Sequence, residues 1–113
     1  MTNPIRIRPA EGTWSVRADG AILGETTQAL ELTEGSSPPV IYFPRADIAM
    51  ALLDRSARQS TCPWKGVAEY FTIAAPGGPI RDAAWSYPDP KPEVAAIAGH
   101  IAFYPDKATI ERI

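Results

Sequence analysis

The sequence predicts a mainly β domain of short antiparallel strands with one short α-helix. Three observations carry that prediction. Apolar and polar residues alternate with a period of two along several short runs, as they do in half-buried strands. Twelve prolines and eight glycines fall between those runs rather than in one tract, so they read as turns joining many short elements. Apolar residues at helical spacing occur in one segment.

PIRIR (4–8) alternates apolar and basic residues, as an edge strand does. In TWSVRA (13–18), Trp14 and Val16 share one face and Ser15 and Arg17 the other. Asp19-Gly20 tolerates the positive φ of a tight hairpin, and AILGET (21–26) returns as its second strand. QALELTE (28–34) sets Ala29 and Glu31 against Leu30 and Leu32. EGSSPP (34–39) has the composition of a loop, and VIYF (40–43) is a strand of β-branched and aromatic residues stopped by Pro44. From Ala46 to Ser56 the period changes. Ile48 with Leu52, and Ala49 with Leu53, form the stripe of a short amphipathic α-helix, with Asp47 suiting the dipole of its first turn. GVAEYFTI (66–73) sets Val67, Glu69, Phe71 and Ile73 against Ala68, Tyr70 and Thr72. APGGP (75–79) is a turn, and IRDAAWSY (80–87) is a strand with Trp85 and Tyr87 on one face. Prolines exclude PDPKP (88–92) from regular structure. EVAAIAG forms one helical turn, HIAFY (100–104) a buried strand and ATIERI (108–113) the last strand. The total is about eight or nine strands, spaced as in a sandwich or barrel-like fold.

A chain of 113 residues makes a single domain, 1–113, with one modest core. The net charge of −2 gives no basic excess to attract a phosphate backbone, so no nucleic-acid partner is expected. No apolar run is long enough to span a bilayer, and MTNPIRIRPAEG lacks the apolar stretch of a secretory signal. The single cysteine excludes an intrachain disulfide and a multi-cysteine zinc site. The expectation is a cytoplasmic protein without a membrane partner.

TCPWKGVAEY (61–70) holds the candidate nucleophile Cys62, with Lys65 three residues on. A nearby cation favours the thiolate, whereas a buried cysteine behaves as a small hydrophobe. Pro63 biases Cys62 toward an extended backbone, which leaves its side chain free to point either way. His100 is the one imidazole available to pair with it; otherwise it is a strand-start histidine bonded to backbone. Lys65-Gly66 lacks the glycine-rich run of a phosphate loop, so Lys65 is either a point charge for an anionic ligand or a solvated turn residue. Tyr42, Tyr70, Trp85 and Tyr87 combine apolar area with a polar tip, which suits a ligand pocket as well as a core. Glu34, Arg45 and Asp47 lie at element ends around VIYF. No metalloprotease, nucleophile-elbow, dinucleotide or calcium-loop pattern occurs, and neither metal nor cofactor is expected.

Five segments in order resemble one family: WSVRADG (14–20), LTEGSSPPVIYFPRADI (32–48), TCPWKGVAEY (61–70), AAWSYPDP (83–90) and GHIAFY (99–104). Together they resemble the bacterial and fungal domain-of-unknown-function family 427, over nearly the whole chain. The resemblance implies a compact, mostly β domain similar to the β-tent or Mss4-like architecture. The family sometimes carries a nucleotidyltransferase label. Such enzymes need a Gly-Ser motif together with an Asp-x-Asp metal pair; that combination is missing here, and Asp89 and Asp106 stand apart. β-tent relatives often hold a structural zinc through cysteines, which Cys62 alone does not supply. Some bind planar ligands in an aromatic cage, to which Trp85 and Tyr87 would correspond.

Three functions follow. The first is a binding module for a small polar or planar ligand, with Tyr42, Tyr70, Trp85 and Tyr87 lining the pocket and Lys65 and Glu34 orienting the ligand. The second is an enzyme with Cys62 as nucleophile, Lys65 stabilising thiolate or oxyanion, and His100 or Glu34 moving protons. The third is an interaction domain, a homodimer through edge strand 4–8.

Overall fold

The computed structural model describes residues 4–113. Ten strands form three antiparallel sheets: β1 (Ile5–Pro9), β2 (Trp14–Ala18), β3 (Ala21–Thr26), β4 (Leu30–Glu34), β5 (Val40–Tyr42), β6 (Leu53–Cys62), β7 (Gly66–Ala75), β8 (Gly78–Ser86), β9 (Ala102–Phe103) and β10 (Thr109–Arg112). The sheet orders are β1-β4-β5, β10-β2-β3 and β6-β7-β8-β9. The mainly β expectation holds, and β1 lies at a sheet edge as its sequence indicates. Asp19 and Gly20 carry φ of 49° and 79°, the two positive values that a tight two-residue hairpin between β2 and β3 requires. Among the described residues no helix is long and apolar enough to cross a membrane.

Around β7, β9 and the second half of β8, the four-stranded sheet is buried on both faces. Phe71, Ile73, Ala84 and Phe103 point into one core, which the sheet β10-β2-β3 closes with Val16, Ala18 and Leu23. Ala68, Tyr70, Tyr87 and Ala102 point into a second core, closed by Leu32 of β4 and by Ile5, Ile7 and Leu30. Side chains alternate across a strand, so adjacent residues such as Tyr70 and Phe71 serve different cores. β5 and the residue after it behave alike: Val40 and Tyr42 face the second core, Ile41 and Phe43 the first. Phe43 and Ile101 exchange both backbone hydrogen bonds at 2.8 Å, which joins β5 to the chain entering β9.

The α-helix expected over 46–56 does not form. Two single 3-10 turns, Arg45–Asp47 and Met50–Leu52, take its place, and β6 begins at Leu53. The backbone between the turns is recruited by β3: Ile48 bridges Gly24, and Ala49 N–H donates to Leu23 O at 2.7 Å. A helix of about ten residues is marginal by itself, so tertiary pairing wins. Ile48 and Leu53 still reach the core, which satisfies the apolar stripe without a helix. Gly24 permits the approach, because a Cβ there would lie 2.5 Å from Asp47 O. The rest of β6 is a polar edge strand with an irregularity between Arg55 and Gln59, which hides its period of two.

Phe43 is fully buried and meets Phe103 edge to face, with ring centroids 5.9 Å apart. Phe43→Ala is expected to lower unfolding stability by about 3–5 kcal/mol in urea titration. Gly24→Ala should cost about 1–3 kcal/mol by overpacking against Asp47 and Ile48.

Candidate functional site

The second core draws together seven of the eight residues that the sequence singles out. Tyr70 comes from β7, Trp85 from β8 and Tyr87 from just beyond it; Tyr42 ends β5 and Glu34 ends β4. Trp85 Nε1–H donates to the Tyr42 hydroxyl at 3.2 Å, and the two rings meet edge to face with centroids 6.3 Å apart. Tyr70 shares a 2.8 Å hydrogen bond with Ser60 Oγ on β6, and the Arg58 guanidinium lies 4.3 Å from the centre of its ring. Burial pushes the Tyr42 phenol up to about 12; the Trp85 hydrogen bond opposes this, and Cys62, Glu34 and Tyr70 add to it. Burial raises the Tyr87 phenol too, with Tyr42, Cys62, Tyr70 and Glu34 acting in the same direction.

Cys62 and Gly66 face each other across the β6–β7 hairpin. Lys65 N–H donates to Cys62 O at 3.3 Å, and Lys91 N–H donates to Lys65 O at 2.9 Å, which fastens the 88–92 loop over the turn. That turn directs Lys65 inward. Its Nζ lies 3.1 Å from Glu34 Oε1 and 5.7 Å from the centre of the Tyr87 ring. Cys62 is half-buried and packs against the second core. His100 stays outside the group: its Nδ1 lies 3.2 Å from Ala98 O in its own loop. Among the described residues no set of three or more His, Cys, Asp or Glu is placed to hold a metal ion.

Tyr42, Tyr70 and Tyr87 are buried, and none of them lines the apolar groove on the molecule's surface. Trp85 does. The groove encloses about 590 Å³ between Trp14 of β2, Ile41 of β5, Trp85, Tyr104 and Ile110 of β10, with Pro38 and Pro39 at its rim. The Trp85 and Tyr104 rings lie 4.6 Å apart at 45°. Glu31 is the charged side chain in this lining, and its Oε1 accepts from Arg8 Nε at 2.9 Å. The sequence pattern puts Trp14 and Tyr104 on strands and carries no sign that they line one groove. Both follow a strand-like pattern that core packing explains equally well, and β10 brings their neighbourhoods together from the far end of the chain.

The raised Tyr42 phenol has a consequence for stability. Its folded value exceeds the ordinary value of 10.0, so the folded state holds a proton that the unfolded chain releases. Its contribution is complete below pH 10 and is lost as pH rises toward 12, at up to about 1.4 kcal/mol per pH unit. Urea midpoints measured from pH 9 to 11.5 are expected to fall less steeply for Tyr42→Phe than for the wild type.

A comparison with curated proteins finds no match. The model of the family described as "Domain of unknown function (DUF427)" matches residues 6–113. The match spans all ten strands apart from the first residue of β1, and the chain belongs to that family.

Proposed function

We propose that the domain binds a small planar ligand, and that the ligand lies in the groove beside Trp85 on a β-tent (Mss4-like) scaffold. The observation that carries this reading is the convergence of four aromatic residues, Trp14, Trp85, Phe103 and Tyr104, on one cleft of about 590 Å³. That volume falls within the range of small-molecule sites, and ring faces with a few polar groups suit a planar ligand. Glu31 gives the cleft one carboxylate whose second oxygen suits a hydrogen-bond donor on the ligand. Trp85 also ties the groove to the phenol cluster, since its N–H is anchored on Tyr42. The cluster thus holds one wall of the groove in place.

The Cys62-dependent alternative has less support. Lys65 and Glu34 engage each other, and the His100 ring meets Ala98 O, so these contacts of the three proposed helpers are made away from the thiol.

The test is a thermal-shift and tryptophan-fluorescence screen with a fragment set of planar heteroaromatic amines. A fragment at 100 times its Kd should stabilise the fold by about 2.7 kcal/mol. Tyr104→Ala should weaken binding about tenfold at little cost to folding. A set that gives no saturable response, or binding untouched by Tyr104→Ala, would overturn the reading.

A further inference from the structure

The opposite face of the central sheet carries a different chemistry. Glu69 of β7 and Ser86 of β8 are cross-strand partners, and both are buried there. The two oxygens of Glu69 each meet a guanidinium: Oε1 lies 3.3 Å from Arg45 Nη2, and Oε2 lies 3.1 Å from Arg55 Nη1. Arg45 is fixed by a second bond, from Nε to Gly99 O at 3.1 Å, and its guanidinium lies 5.7 Å from the centre of the Phe71 ring. One carboxylate therefore organises two cations, and the group keeps a net charge of +1. The Asp47 carboxylate is directed elsewhere, accepting from Thr26 Oγ1 at 2.7 Å.

Two features go beyond a structural ion pair. Each guanidinium offers five N–H donors, and the contacts above leave donors unused on both arginines. Both side chains stay open to solvent, at 41% for Arg45 and 55% for Arg55. The Ser86 hydroxyl is fully buried beside Glu69 and has no hydrogen-bond partner among the described residues. A buried hydroxyl left unbonded is costly, and Ser86 is the cross-strand partner of the carboxylate that gathers both arginines, so an oxygen that reached it would relieve that cost.

We propose that Arg45, Arg55 and Ser86, arranged around Glu69, form a binding site for a small oxyanion, a phosphate or carboxylate group. Planar guanidinium forks match both groups, and two such forks around one buried carboxylate are already oriented before the anion arrives. The site lies across the sheet from the phenol cluster and stands independently of the groove.

The test is calorimetric titration of the whole chain with orthophosphate and, separately, acetate, at constant ionic strength in chloride. Saturable binding of either anion is expected, and the preferred arm identifies the group as phosphoryl or carboxylate. Arg55→Gln, at a half-exposed position, should weaken binding by about tenfold or more. Ser86→Ala should weaken it with the melting temperature retained. Arg8→Gln, on a different surface, should leave it unchanged. No saturable binding of either anion, undiminished binding by Arg55→Gln, or equal loss in Arg8→Gln would each overturn the proposal.

Discussion

The reciprocal backbone pair between Phe43 and Ile101 holds the architecture together. It attaches the β1-β4-β5 sheet to the central sheet at the point where β5 ends. One residue from each of the two polar systems lies beside that joint. Tyr42, one residue before it, turns toward Trp85; Arg45, two residues after it, reaches Gly99 and Glu69. Pro44 stops β5 directly after the joint and opens the 3-10 turn that carries Arg45. One short hydrogen-bonded contact thus positions residues on both sides of the sheet.

The sheet keeps two polar systems apart. On one face, phenols are buried as neutral groups, which burial favours. On the other, Glu69 is matched by guanidinium donors, which a buried carboxylate needs. Trp85 belongs to the phenol face by its N–H and to the surface groove by its ring. A shift of that indole on ligand binding would be felt at Tyr42.

Much of this was legible in the sequence, and the exceptions share a cause. The Asp19-Gly20 hairpin, the β7 and β8 strands, and the Trp85/Tyr87 face followed from local pattern, because turn chemistry and alternation are local rules. Six of the chosen residues converge with Trp85 because Cys62, Lys65 and Tyr70 flank one hairpin and face the strand carrying Tyr42. The segment 46–56 departs from its helical pattern because the same stripe is also compatible with two buried anchors, Ile48 and Leu53, in an irregular connection. Trp14 with Tyr104, and Arg45 with Arg55 and Glu69, were invisible because no short-range pattern encodes a meeting between distant segments.

Burial of the central sheet on both faces around β7 bears on how the chain avoids misassembly. In a sheet with one wet face, hydrophobic alternation penalises a strand that slips by one residue. β7 lacks most of that safeguard, since Ala68, Tyr70, Phe71 and Ile73 are all buried. The polar groups supply it instead. A one-residue slip would carry Glu69 among the tyrosines and away from both arginines, and leaving a buried charge unpaired costs about 3–5 kcal/mol. The acidic side chain at position 69 thus serves as a proofreading mark for strand alignment, discriminating against a misfolded sheet that its apolar neighbours would tolerate.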